Sequence, residues 1–207
     1  MDIVKHLRLR AVTWAAVGAA AVAAASALSL TAASAAPVTS ASSHRAVSFA
    51  LVPSPGIQSC LPHARGVVTI IPGSQNDLMD VTISGMPSHA EFDLFVIEQP
   101  NKPFGVSWYQ TDVDANGNGV GHASVRGIFD RETFSVSPGG TTTFGATHQF
   151  HLGLWFNDPS LPFKLGCEPG QPAPVVTPFN GEQHAGIQVL NTAEFPVGAG
   201  PLSHVHR

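Results

Sequence analysis

Charge is scarce in this chain. Only 12% of its 207 residues are Asp, Glu, Lys or Arg, about half the share of an ordinary soluble protein. Ten Lys and Arg face fourteen Asp and Glu, a net charge of −4. Nucleic-acid binding rests on clustered Lys and Arg, so no nucleic acid is expected as a partner. Cysteine is rarer still: there are two, Cys60 and Cys167, and no C-x-x-C spacing that would suggest a thiolate metal site. No G-x-S-x-G elbow, H-E-x-x-H or S-x-x-K occurs, so the sequence names no catalytic residue. No window repeats its apolar residues at helical spacing, which argues against a helical bundle.

What the chain does have is apolar residues (43%), twenty Gly and seventeen Pro. That supply supports a buried core interrupted by many turns. The beginning reads differently from the rest. Lys5, Arg8 and Arg10 precede an apolar run from Ala11 to Leu30, and then come small residues with Ala33 and Ala35 at A-x-A spacing. This is the pattern of a secretory signal peptide, expected over residues 1–35. An uncleaved anchor is the alternative, because the run is about as long as a bilayer requires, but its alanines make it weakly hydrophobic. No second such run follows, so no membrane association is expected after cleavage. Residues 36–45, rich in Ser, Thr and Ala, read as a flexible tether, and 46–207 as a single domain. The part after residue 35 carries seven Lys and Arg against thirteen Asp and Glu, a net charge of −6.

Export gives the two cysteines an oxidising environment, where they pair by default. A Cys60–Cys167 bridge would close a loop of roughly 100 residues and, in the chain-entropy picture, contribute about 4–5 kcal/mol.

Strand-like segments recur every 10–15 residues. Candidates are Ala46–Val52, Gly66–Ile71, Leu78–Ile83, Glu91–Glu98, Val106–Thr111, Val120–Arg126, Gly127–Val136, Thr147–Phe156 and Ala185–Leu190. Met79, Val81 and Ile83 alternate with Asp80 and Thr82, the period of a half-buried strand. Glu91–Glu98 carries apolar residues on both faces, so it is expected to be covered on both sides. Loops such as Pro53–Gly56, Gln99–Pro103, Pro159–Pro162 and Pro169–Pro174 are rich in Pro or Gly. The expected fold is all-β: an antiparallel β-sandwich, immunoglobulin-like or jelly-roll-like, with long loops.

Asp112, Asp114 and Asn116 followed by Gly117 match the opening of an EF-hand calcium loop. Position 12 should be Glu and is Ala123, and Asn116-Gly117 and Asn118-Gly119 are hairpin signals. The plain hairpin needs fewer missing parts. His204 and His206, two apart, would share one face of an extended segment and are weak metal candidates, but they sit at the chain end. No cofactor is called for.

Trp108, Tyr109 and Gln110 beside the Pro103-Phe104-Gly105 turn join aromatic rings to an amide, as do Phe179, Glu182 and His184 around Asn180-Gly181. Such clusters suit a sugar or a protein surface; core packing of the aromatics is the plain alternative. Asp130 and Glu132, two apart, read as solvated charges at a strand start, and Glu182, His184 and His151 are the acid–base grouping that a site built from distant residues would use.

Several pieces in order carry a resemblance: Phe92-x-Leu94-Phe95-Val96, Pro103 to Gln110, the Asp112–Gly119 turn, His151-Leu-Gly-Leu-Trp-Phe156, and Thr177 to Gly186. In these the chain resembles a group of secreted, β-rich actinobacterial proteins without an assigned activity. The resemblance implies export and a β-rich fold and transfers no catalytic residue. The expectation is a secreted, non-catalytic binding or interaction module with an extracellular ligand. The alternatives are a secreted hydrolase with a site built from distant residues, or a metal-binding extracellular protein.

Overall fold

The computed structural model describes residues 45–129, 135–136, 143–144, 150–178 and 184–206. The signal peptide expected over 1–35 and all but the last residue of the tether expected over 36–45 lie outside these residues. The described residues belong to one unit, Ala41–Arg207.

Eight strands join in one antiparallel sheet: β1 (Val47–Pro53), β2 (Arg65–Ile71), β3 (Asp77–Ser84), β4 (Glu91–Ile97), β5 (Ser107–Asp114), β6 (Gly121–Gly127), β9 (His151–Phe156) and β12 (Gln188–Asn191). Two small hairpins stand apart, β7 (Ser135–Val136) with β8 (Thr143–Phe144) and β10 (Thr177–Pro178) with β11 (His184–Ala185). One helical turn, α1 (Ser160–Lys164), follows β9.

The strand order is β5-β4-β9-β12-β1-β2-β3-β6. β1 is shared between two arms: Val47–Leu51 pair with β2, while Val52 and Pro53 pair with β12. The outermost strands, β5 and β6, are consecutive in sequence, and Ala115 bridges Gly121 at the turn between them. The sheet therefore curls back on itself and is nearly barrel-like. The all-β, antiparallel expectation holds at this level.

The curl encloses one core. Val68, Ile70, Met79, Val81 and Ile83 from the β2–β3 side meet Phe92, Leu94, Val113, Leu152, Leu154 and Phe156 from the β4–β5–β9 side. Each such side chain contributes about 1.5–3 kcal/mol on burial. On β3 the alternation read from sequence is realised, with Met79, Val81 and Ile83 all fully buried. β4 is buried on both faces after its first residue. Its Phe95 and Ile97 join Trp155 and Ala185 in a second cluster on the outside of the sheet, capped by Phe104.

Cys60 and Cys167 are bonded, with S–S 2.05 Å and Cα–Cα 5.1 Å. The bridge ties the turn after β1 to the loop after α1.

Two local readings change. The loop expected at Pro159–Pro162 holds α1, because the Asp158 carboxylate accepts bonds from both the backbone N–H (2.8 Å) and the hydroxyl (2.6 Å) of Ser160 and starts a helical turn. Gly166, at φ 75°, follows its end. Five residues are too few to show a helical period in sequence. The strand expected over Gly127–Val136 does not begin at Gly127, which instead closes β6; Phe129 leaves the sheet and is buried in the core, its N–H donating to Asp77 Oδ2 (2.9 Å).

Candidate functional site

The outer face of β5, β4, β9 and β12 carries residues in register. Asp112 stands opposite Asp93, Asp93 opposite Trp155, and Trp155 opposite Gln188, one row across four strands. The neighbouring row is Tyr109, Phe95, Gly153 and Asn191. Gly153 explains how Trp155 lies: a Cβ there would overlap the indole ring and the Gln188 amide. Trp155 thus packs down over its own strand, in edge-to-face contact with Phe95 (5.5 Å) and Phe104 (4.9 Å), and Phe95 in turn meets Tyr109 (5.7 Å).

Beside Trp155 and Gln188 opens a groove of about 590 Å³, within the range of small-molecule sites. Three loops wall it. The first is Ser54–Gly56, at the end of β1; the second carries Asn101, Lys102 and Phe104; the third runs from Cys167 and Glu168 to Thr177. The disulfide therefore joins the end of one wall to the start of another.

A buried amide network supports the floor. Ser54 Oγ donates to Gln188 Oε1 (2.8 Å), and Asn191 Nδ2 donates to both Ser54 Oγ (3.1 Å) and Gln188 Oε1 (3.0 Å). Gln188 Nε2 donates to the Pro100 carbonyl (3.2 Å), which ties the second loop to the sheet. Asn191 Oδ1 accepts from the Ala193 N–H (2.9 Å). A network this fully bonded holds its members in one geometry.

Two groups in the groove wall are not so satisfied. Trp155 is 2% exposed, and its Nε1–H has no acceptor. Glu168 is 8% exposed; its Oε2 accepts from the Val175 N–H (2.8 Å), while Oε1 has no donor. Leaving a buried polar group unpaired costs about 1–3 kcal/mol, and more for a charged one.

At the other end of the row lies an acidic pair. Burial, then the adjacent Asp112 carboxylate, raises Asp93 from 3.8 to about 6. Asn157 Nδ2 donates to Asp93 Oδ1 (3.2 Å), and Oδ2 has no donor. Tyr109 donates to Asp112 Oδ1 (2.9 Å); its own burial and that bond push the phenol up to about 12.

The residues singled out from sequence are scattered. Trp108 and Tyr109, 53% and 48% exposed, sit with Gln110 on β5 at the end of the strand order and do not line the groove. His184 is exposed on β11; Phe179, Glu182, Asp130 and Glu132 lie outside the described residues. Asp112 and Asp114 end β5, and Asn116 closes the hairpin by accepting from the N–H groups of Asn118 (2.9 Å) and Val120 (3.2 Å). His204 and His206 border a separate hollow with Arg45 and Ser48. His204 ends a 3-10 turn (Pro201–His204), and the buried Val205 separates it from His206.

His151 is fully buried. Its Nδ1 pairs with Thr192 Oγ1 (2.9 Å), and its Nε2 lies 3.2 and 3.0 Å from the carbonyls of Pro196 and Val197. Burial lowers its pKa, and facing carbonyls place the proton on Nε2. This histidine pins the chain end to β9. Among the described residues, no three His, Cys, Asp or Glu side chains converge as a metal site, and no helix is long and apolar enough to cross a membrane.

Sequence reasoning missed Trp155, Gln188 and Glu168 as site residues. A trace of them was present: on β9 the face opposite Leu152 and Leu154 carries His151, Gly153 and Trp155, an unusual set for a second core. Glu168, in a loop, left no pattern at all. No family model matches the chain, and no curated protein matches it.

Proposed function

We propose that this protein is an exported, non-catalytic binding module whose ligand occupies the groove beside Trp155 and Gln188. The observation that carries this reading is the groove of about 590 Å³ itself, walled by three loops, with Trp155, Phe104 and Ile187 as apolar surface and with Ser54 and Gln188 held in place by a bonded amide network. The disulfide supports export, since such bonds persist in oxidising compartments. In the same reading the two arms of the sheet are the layers of a sandwich, because their inner faces share one core. Binding is favoured over hydrolysis because Glu168 and Lys102 are the only ionisable side chains among the described residues lining the groove, and an acid–base pair needs two matched groups near the bond to be broken.

The test is amide and indole shift mapping on the exported protein with a chemically mixed library of small molecules. Shifts centred on the Trp155 indole and the Gln188 side-chain amide are expected. Turnover of chromogenic esters, glycosides or peptides would replace this reading with the hydrolase. Shifts centred on Trp108 and Tyr109 would move the site to β5.

A further inference from the structure

We infer that a second ligand site, separate from the groove, lies between the start of β1 and the end of the described chain, and that it binds a phosphorylated small molecule through its phosphate. A hollow of about 410 Å³ opens there, lined by Arg45, Ala46, Val47, Ser48, His204 and His206. Its walls are fixed. Leu202 and Val205, each 1% exposed, are buried in the core. The Leu202 N–H donates to the Phe150 carbonyl (3.1 Å), and the Val205 N–H donates back to the Leu202 carbonyl (3.1 Å). Burial of Val205 leaves its two neighbours, His204 and His206, exposed, and both border the hollow. On the facing side Val47 packs against the core, while the Ser48 hydroxyl is spent on β2, donating to the Val68 carbonyl (3.2 Å). Arg45 is exposed as well, so a ligand reaches all three basic side chains. Among the described residues, none of the three has a hydrogen-bond or ion-pair partner.

The charges choose the ligand. No carboxylate lines the hollow among the described residues, although acidic residues outnumber basic ones in the chain. Asp80, two strands away along the row Ser48–Thr69–Asp80, is bonded to Ser124, and Glu194 is exposed in the loop after β12; neither borders the hollow. Two imidazoles are metal ligands by type, but no third His, Cys, Asp or Glu converges on them, and the guanidinium on the same hollow repels a cation. A carboxylate has two oxygens, which the guanidinium fork alone can occupy. A phosphate monoester has three terminal oxygens and carries about −1.5 to −2 charge near neutral pH. An imidazole donates an N–H whether neutral or protonated, so one phosphate can use all three side chains. The volume lies at the lower end of small-molecule sites and leaves room for an organic group, with Ala46 and Val47 as its apolar wall.

The experiment uses the untagged, oxidised protein labelled with ¹⁵N and ¹³C. Glycerol 3-phosphate, glucose 6-phosphate and inorganic phosphate are titrated in turn at constant pH and ionic strength, with acetate and Zn²⁺ as rival ligands, and the imidazole resonances of His204 and His206 are followed. At least one ester is expected to move both saturably, more tightly than acetate and at least as tightly as inorganic phosphate. Arg45→Gln should weaken that ester by about fivefold or more. Arg126→Gln, the same loss of charge at an exposed position on β6, should leave the Kd within about twofold. Equal weakening by both variants overturns the inference, because it reports net charge alone. So does ester binding untouched by Arg45→Gln, acetate binding as tight as that of every ester, or Zn²⁺ binding at the two histidines with no ester bound. Inorganic phosphate binding more tightly than both esters overturns the phosphorylated molecule and leaves a site for the free ion. None of these outcomes is read at the Trp155 indole, so the groove stands or falls by its own titration.

Discussion

The two arms of the sheet are built from the same kinds of strand and end up unlike. On the arm β2–β3–β6, burial alternates residue by residue, and the outer face is open: Val67, Ile71 and Thr82 are exposed there. On the arm β4–β9–β12, nearly every residue is buried, on both faces. The first arm is a wall with one wet side. The second is a floor, covered by the loops at 98–106 and 167–177, and the groove lies between those loops. A strand buried on both sides can place polar groups out of water, and only such groups give a site its strong hydrogen bonds. The arm with the open face has nothing comparable to offer a ligand.

The sharpest way to break this comparison is to truncate one outer-face residue on each arm. Trp155→Ala should cost about 3–5 kcal/mol, as removal of a buried aromatic does. Val67→Ala, at a site 52% exposed, should cost under about 1 kcal/mol. Urea unfolding with unchanged slope measures both; equal losses would mean the two outer faces are equivalent.

Next comes the brace on the groove's walls. Cys60→Ser with Cys167→Ser should lose roughly 2–5 kcal/mol. The arm β2–β3–β6 should keep its amide exchange protection while the 167–177 loop loses it. Thiol titration of the denatured, unreduced wild type should find none, in keeping with the bond seen here.

Asp93 adds a dependence on pH that belongs to the covered arm alone. Its folded value lies near 6, above the ordinary 3.8, so the folded state holds the proton more tightly than the unfolded one. The favourable contribution is complete below about pH 4 and is lost as pH rises through 6, a fall of about 1–3 kcal/mol at most. Asp93→Asn keeps an acceptor for Asn157 and carries no charge at any pH. The difference between wild type and variant should therefore grow from about pH 4 to 6 in favour of the variant, then stay flat. Chemical unfolding at several pH values reads this directly, and parallel curves would show that Asp93 is not protonated in the fold.

The smallest effect is expected on the open arm. His122 is exposed on β6, with Thr82 Oγ1 3.3 Å from its Nδ1. His122→Ala should change stability by less than about 0.5 kcal/mol. A larger change would make the open face more than a solvated wall.

Much of this architecture was legible beforehand for a physical reason. The alternation in Leu78–Ile83 leaves only one way to bury Met79, Val81 and Ile83 together, and it is the way found. The apolar residues on both faces of Glu91–Glu98 foretold a strand covered twice. A chain with two cysteines has only one intramolecular disulfide to make, and it is the one found. The β5–β6 turn announced itself through Asn116-Gly117 and Asn118-Gly119, whose residues accept the conformations that a tight hairpin needs.

Strand periodicity and pairing chemistry are local properties, so the sequence alone determined the all-β character, most of the strand positions, the hairpin and the disulfide; the span expected as one strand over Ala185–Leu190 is divided between β11 and β12. The site obeys no such local rule. Exposure of Trp108 and burial of Trp155 follow from where β5 and β9 fall in the strand order, at its end and in its middle. Gln188 meets Ser54 across 134 positions and Pro100 across 88. Glu168 matters because its loop is drawn over the sheet beside a cysteine bonded 107 residues away. Only the tertiary structure decided which polar residues would lose their water together, because that depends on which loops cover which strands, and no run of neighbouring residues encodes it.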